Sequence, residues 1–160
     1  MDCLFRPTRD GRGLLITVAI TIVVVVGLNG LIFALGWSGA LRDAAMSQRP
    51  LLPPGWVIGG VWTALFALFV AAHWWLASAG DQAHRQAARW VLAFMAFCLA
   101  YPFYTAGFAA EQVGFAANLL TIALNGLLVG RLWPVSRGAA LLMTPSLPWV
   151  CFATYAVAAI

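Results

Sequence analysis

Residues 53–79 read PPGWVIGGVWTALFALFVAAHWWLASA, a stretch of 27 residues without a charged side chain. The stretch begins with two prolines, which have no backbone N–H. The first N–H groups of a helix have no partner within the helix, so proline is tolerated at this position. The following residues, 55–79, would extend about 37 Å as an α-helix at ~1.5 Å per residue. Because the hydrocarbon core of a bilayer is ~30 Å thick, the stretch predicts a transmembrane helix.

The rest of the chain repeats this pattern. Its residues are 63% hydrophobic and 9% charged, against ~25% charged in an ordinary soluble domain. The charged residues cluster between five charge-free stretches, which are 13–41, 50–80, 90–110, 112–130 and 138–160. The sequence therefore predicts an all-α membrane protein, a five-transmembrane-helix bundle forming a single domain over 1–160. We expect helices over approximately 14–37, 55–79, 90–108, 114–133 and 139–160, with residues 38–54 as a lid.

The arginines predict the orientation. Seven of the nine fall in the N-terminal tail and in the loops after the second and fourth helices, and two fall on the other side. The positive-inside rule then places the N-terminus in the cytoplasm and the C-terminus in the periplasm, if the membrane is a bacterial inner membrane. The net charge of +4 is a topology signal, so we expect the lipid bilayer as a partner and no nucleic acid.

Chemistry-bearing groups are sparse. The three cysteines have no metal-type spacing, and no nucleophile–base pair, carboxylate pair or phosphate-binding glycine loop is found. We predict no catalytic residue, no metal ligand and no required cofactor. An enzyme is the least favoured class, although the sequence leaves that question open.

The second helix carries two stripes. Small residues recur every four positions, which predicts a close helix–helix contact; they are Gly55, Gly59, Thr63, Ala67 and Ala71. An aromatic ridge runs beside them, formed by Trp62, Phe66, Phe69 and His73. The ridge is compatible with core packing, lipid contact or a pocket wall.

Two of the eight tryptophans lie too deep for the interfacial aromatic belt. At ~1.5 Å per residue, Trp62 lies about 10 Å below the outer surface and Trp149 about 15 Å above the inner one. Tyr101 lies in the outer half as well. Such flat amphipathic side chains either line a pocket for a flat apolar ligand or pack as core.

The fourth helix has a polar line, formed by Asn118, Thr121 and Asn125, with Glu111 one heptad earlier. Hydrogen bonding between helices, or a dimer face, is the favoured interpretation. A proton or ion path would need an ionisable group deep in the membrane, which this line lacks.

Two motifs resemble the signature of the TspO/MBR family, the tryptophan-rich sensory proteins and mitochondrial translocator proteins. The first is P-P-G-W-V over 53–57 followed by W-T-A-L-F over 62–66. The second, in the fifth helix, consists of Pro145, Leu147, Trp149, Val150, Phe152, Ala153 and Thr154. With five helices and a long first loop, the resemblance covers essentially the whole chain.

The chain also departs from the family pattern. Cys98 and Tyr101 stand where the third helix usually has Asn and Trp, and Ser146 replaces a tyrosine. Ala156 stands at the position of an asparagine.

The resemblance implies a membrane sensor or transporter-like protein that binds a porphyrin, another tetrapyrrole or a sterol-like lipid within the bundle, often as a homodimer. Carried over position by position, the ligand-lining residues are Trp62, Phe66, Tyr101, Trp149 and Ala153. The alternative is a non-catalytic accessory or assembly subunit of a larger, pigment-bearing membrane complex. The retained Trp62 and Trp149 favour the first function, and the lost asparagine favours the second.

Overall fold

The computed structural model describes residues 11–34, 53–106 and 111–158. All regular structure in these ranges is α-helical. The helices are α1 (Gly11–Ala34), α2 (Gly55–Ser78), α3 (Gln82–Ala106), α4 (Glu111–Leu132), α5 (Arg137–Met143) and α6 (Ser146–Ala158). Most of the predicted lid, residues 38–52, lies outside the described residues.

Five segments are long and apolar enough to cross a membrane, and α5 and α6 together form the last of them. The predicted fold class is therefore confirmed, and the protein is an integral membrane protein. The first span shows why lipid is required as the solvent. Only 6% of its most apolar window is buried inside the protein, so its Val- and Ile-rich surface needs the hydrocarbon of a bilayer.

Helix α3 begins at Gln82, eight residues before the span expected from 90. The charges of Arg85 and Arg89 marked the boundary in the sequence, yet both residues are helical and exposed. Long arginine side chains can extend to the interface while their backbone stays helical. Asp81 caps the N-terminus of α3, because one of its carboxylate oxygens accepts a hydrogen bond from the His84 backbone N–H at 2.9 Å.

The fifth span is divided at Thr144 and Pro145, where the sequence predicted one continuous helix. Pro145 has no N–H to donate to a helical carbonyl. After it, the Leu147 N–H bonds to the Thr144 carbonyl rather than to that of Met143, its usual i−4 partner. The Met143 carbonyl is thereby released from the helical ladder.

Two helices organise the bundle. Helix α2 packs against α1, α3 and α5, and α4 packs against α3, α5 and α6. Helices α2, α3, α4 and α5 thus close a ring, while α1 packs mainly on α2. The ends of α2 and α3 at the tight turn 79–81 lie at the same side of the bundle as the start of α5, where the Trp75 ring lies beside Gly138.

Aromatic rings form the centre of the ring of helices. Phe69 is completely buried and contacts Phe66 at 5.7 Å and Phe94 at 5.6 Å between ring centroids, both edge-on. Edge-to-face contacts of this kind stabilise beyond the area they bury. The deep part of the aromatic ridge on α2 is therefore core.

Within the described residues, the outer end of the small-residue stripe of α2 has no close helix–helix contact. A methyl group added at Gly55 or Gly59 would meet no described atom within 4 Å. Helix α2 also packs against α5, where Ala139 and Ala140 are completely buried and the Trp75 ring lies 3.6 Å from a Cβ built at Gly138. Since a four-residue spacing drifts ~40° per step around a helix with 3.6 residues per turn, such a stripe leaves any single interface.

Candidate ligand cavity

A cavity of about 70 Å³ lies between α1, α2 and α3 in the half of the bundle opposite the 79–81 turn. Each of the three helices contributes residues near its end on that side. The lining consists of Val25, Leu28, Asn29, Trp62, Phe66, Cys98, Leu99, Tyr101 and Pro102. Three of the five predicted ligand residues, Trp62, Phe66 and Tyr101, therefore meet at one cavity.

The α2 wall of the cavity is aromatic. The Trp62 and Phe66 rings lie 6.1 Å apart at an interplanar angle of 43°. Phe66 is buried and continues into the Phe69 core contact, while Trp62 is half-buried. The wall therefore joins a ring fixed by the core to a more accessible indole, and flat π surfaces of this kind suit a flat apolar ligand.

Tyr101 joins the cavity to α4. Its hydroxyl donates to the Asn118 side-chain oxygen at 3.0 Å, and the Gly114 carbonyl lies 3.5 Å away. Asn118 is buried, so the bond satisfies a polar group that lipid would leave unpaired. One residue of the predicted polar line on α4 thus orients a wall of the cavity.

Two polar features of the lining carried no functional assignment in the sequence. The Asn29 side-chain nitrogen donates to the Val25 carbonyl at 2.9 Å, which leaves its amide oxygen as an acceptor beside the cavity. Pro102 lies inside α3 and cannot supply the helical N–H for the Cys98 carbonyl. Asn29 was visible as the one strongly polar side chain of the first helix, but its position along the helix did not show which way it points.

The other two predicted ligand residues lie on α6 and are not part of this lining. Trp149 is half-buried, packs against the hydrophobic core and has the Phe152 ring 5.9 Å away at 37°. Ala153 is half-buried on the same helix. Helix α6 packs mainly on α4, and neither of its two predicted residues is among those that line the cavity between α1, α2 and α3.

The α4–α6 face contains a buried polar cluster of its own. The Asn125 side-chain nitrogen donates to the Ser146 hydroxyl and, at 3.4 Å, to the Met143 carbonyl. The Ser146 hydroxyl also donates to Met143 at 2.7 Å. These two side chains thus satisfy the carbonyl that the break at Pro145 releases, which confirms hydrogen bonding between helices for the polar line.

No group of three or more metal-binding side chains occurs within residues 11–34, 53–106 and 111–158. The cavity therefore offers aromatic faces, one amide and one phenol. These groups favour the binding of an apolar molecule with a few polar atoms.

The sequence pattern of the TspO/MBR family matches residues 19–160. This chain belongs to the TspO/MBR family. The match covers nearly the whole chain, and it confirms the resemblance based on the two tryptophan-containing motifs. Comparison with functionally characterised proteins and with solved structures gave no significant match.

Proposed function

We propose that this TspO/MBR-family protein is a membrane sensor or transporter for a flat apolar ligand of the tetrapyrrole or sterol class, bound between α1, α2 and α3. The convergence of Trp62, Phe66 and Tyr101 on one cavity is the observation that carries the proposal. Their residue types and spacing were compatible with a pocket wall or with core packing before the family resemblance was considered. Family membership supports the ligand class.

The size of the cavity defines how a ligand would enter. Pockets that enclose a drug-sized molecule measure ~300–1,000 Å³, well above the 70 Å³ between these helices. Helix α1 is the element best placed to yield, because it packs mainly on α2. A macrocycle would first stack on Trp62 and Phe66, and it would reach Trp149 and Ala153 only by separating the bundle towards α6.

A titration tests the function directly. Protoporphyrin is added to the purified protein in mild detergent while tryptophan emission and porphyrin absorption are followed, and a sterol is then added as competitor. We expect saturable binding of the porphyrin. Tyr101→Phe should weaken it, because the variant loses the hydrogen bond to Asn118 that holds the Tyr101 ring in the cavity wall. Linear, non-saturable quenching would contradict the proposal.

Two glycines of α2 favour a second candidate, an accessory subunit of a larger membrane complex. A Cβ added at Gly55 or Gly59 would meet no described atom within 4 Å, and helices in lipid approach each other closely at such residues. Gentle extraction from native membranes distinguishes the candidates. A stoichiometric partner without bound pigment indicates the subunit, whereas a monomer or homodimer with pigment indicates the ligand-binding protein.

Orientation is a further part of the proposal. The arginine-rich side of the bundle would face the cytoplasm, so the ligand cavity would open in the periplasmic half. Two reporter domains are fused after Ile160, one that is active only in the periplasm and one that is active only in the cytoplasm. We expect activity from the periplasmic reporter alone. Activity only as a cytoplasmic reporter would contradict this orientation.

A further inference from the structure

A second cavity, of about 280 Å³, lies at the opposite end of the bundle from the ligand cavity. It is a groove between the first turns of α3 and the last turns of α4. Its lining consists of Ala83, Gln86, Ala87, Trp90, Leu128, Arg131, Leu132 and Val135. We call it the α3–α4 groove.

The polar groups of the groove are suited to an anion. The Arg131 guanidinium lies over the Trp90 ring, with 5.9 Å from its central carbon to the ring centroid, an arrangement in which the aromatic face steadies the cation. Both residues are exposed. The Gln86 side chain adds an amide donor to the same wall.

The charge around the groove is unbalanced. Arg85, Arg89 and Arg137 lie on neighbouring turns at this end of the helices. Asp81 is the only carboxylate near them among the described residues, and it is engaged by the backbone and imidazole of His84. No ion pair of Arg131 occurs in the described part of the chain, so its guanidinium retains its capacity for a bidentate anion.

We propose that the α3–α4 groove binds the phosphodiester headgroup of an anionic phospholipid from the surrounding leaflet. Basic pockets between transmembrane helices on the arginine-rich side are typical sites for such headgroups. Trp90 follows Arg89 and Trp133 lies two residues after Arg131, and both rings are exposed, as expected of the interfacial aromatic belt at headgroup depth.

The shape of the groove favours a lipid over a free anion. Its 280 Å³ is several times the ~30 Å³ that one water molecule occupies in the liquid, so it has room for a phosphate and part of the attached glycerol. Ala87, Leu128 and Leu132 form its floor and are buried in the bundle. The groove thus combines an apolar floor with a cationic rim, which suits the glycerol and the phosphodiester of an anionic phospholipid.

The experiment titrates the full-length protein in dodecyl maltoside with phosphatidylglycerol and, separately, phosphatidylcholine, counting bound lipids by native mass spectrometry. We expect one phosphatidylglycerol to bind at least about tenfold more tightly than phosphatidylcholine. Arg131→Gln should remove at least about tenfold of that affinity, as expected for loss of a charged hydrogen-bonding partner. Ala83→Trp, which fills the groove from an exposed position while keeping Arg131, should do the same.

Arg137→Gln is the matched control, because Arg137 is exposed at the same end but does not line the groove. It removes the same charge, and it should weaken binding by less than about fivefold, the effect of one surface arginine. Equal effects of Arg131→Gln and Arg137→Gln would overturn the proposal, as would unchanged binding in Ala83→Trp. Displacement of the lipid by millimolar inorganic phosphate would also overturn it, since the site would then recognise the anion alone.

Discussion

The two deep tryptophans of this protein lie in regions of different construction. Trp62 borders a cavity, next to the lightly packed α1. Trp149 lies on α6, where Asn125 and Ser146 tie α4 to the break in the fifth span. From the sequence alone, both tryptophans were predicted to line the ligand site.

Polar side chains show the same contrast. On the cavity side, Asn29 and Thr63 donate to carbonyls of their own helices, four residues back, and the bond between helices is that of Tyr101 on α3 to Asn118 on α4. On the α4–α6 side, Asn125 bonds across helices to a carbonyl that has lost its helical donor. Within a bilayer, hydrogen bonds between helices stabilise the fold, whereas the bonds of Asn29 and Thr63 within α1 and α2 leave these two helices free to separate around a ligand.

The largest expected effect concerns close packing. Ala140 is completely buried in α5, which packs against α2 and α4, so Ala140→Leu should overpack the contact. We expect a loss of about 1–3 kcal/mol or more, seen as reduced folded yield and a lower melting temperature. Gly59→Leu is the control, because a Cβ added there would meet no described atom within 4 Å, and the fold of the protomer should be retained. A Gly59→Leu variant that fails to fold while Ala140→Leu melts normally would reverse the comparison.

The next effect compares two asparagines. Asn125→Ala removes both bonds from the α4 side to the region of Pro145, and we expect a loss of about 1–2 kcal/mol. Asn29→Ala removes a bond within α1 alone and should cost less than about 0.5 kcal/mol. Thermal unfolding in one detergent measures both. Equal losses would show that the cavity side is as constrained as the α4–α6 side.

A change outside both regions should have the smallest effect. The Asp81 carboxylate caps α3, and the hydrogen bond from the His84 backbone lowers the pKa of Asp81 below its ordinary 3.8. A lowered folded-state pKa means that the contribution is present above pH 3.8 and is lost as the pH falls through the folded-state value.

Asp81→Asn tests that small contribution, because asparagine also caps helices but carries no charge. Melting temperatures of the native protein and the variant should differ slightly at pH 6 and converge towards pH 3. A difference that grows on acidification would contradict the sign.

The fold was largely predictable because the bilayer imposes a simple rule. Charge-free stretches of 19 residues or more predict spans, and α2 was located from 55–79 to within one residue of its end at Ser78. The start of α3 was not located correctly, because Arg85 and Arg89 are charged but belong to the helix. At an interface, the position of a charge marks the edge of the hydrocarbon and not the end of a helix.

The break in the fifth span could not be predicted from proline alone. Pro102 lies within an uninterrupted α3, whereas Pro145 separates α5 from α6. The difference lies in the surroundings, since Asn125 and Ser146 are in place to bond the released Met143 carbonyl. The contact from Asn125 joins residues 18 positions apart and has no local signal.

The candidate site was predictable in part for the same reason. Trp62 and Phe66 share a face by helical spacing, and the depth of Tyr101 follows from counting residues. Whether α6 borders the same cavity depends on how helices are arranged around α4, which periodicity does not specify. The ligand-binding assignment of Trp149 and Ala153 stays a prediction.

The proposed ligand site lies on the Trp62 side of the bundle, and matched replacement of the two tryptophans tests this position most directly. Protoporphyrin dissociation constants are measured for the native protein, Trp62→Leu and Trp149→Leu. We predict that Trp62→Leu weakens binding about two- to tenfold, the value of a stacked aromatic face, and that Trp149→Leu changes it less than about twofold. Equal weakening in both variants, or a larger loss in Trp149→Leu, would contradict the account.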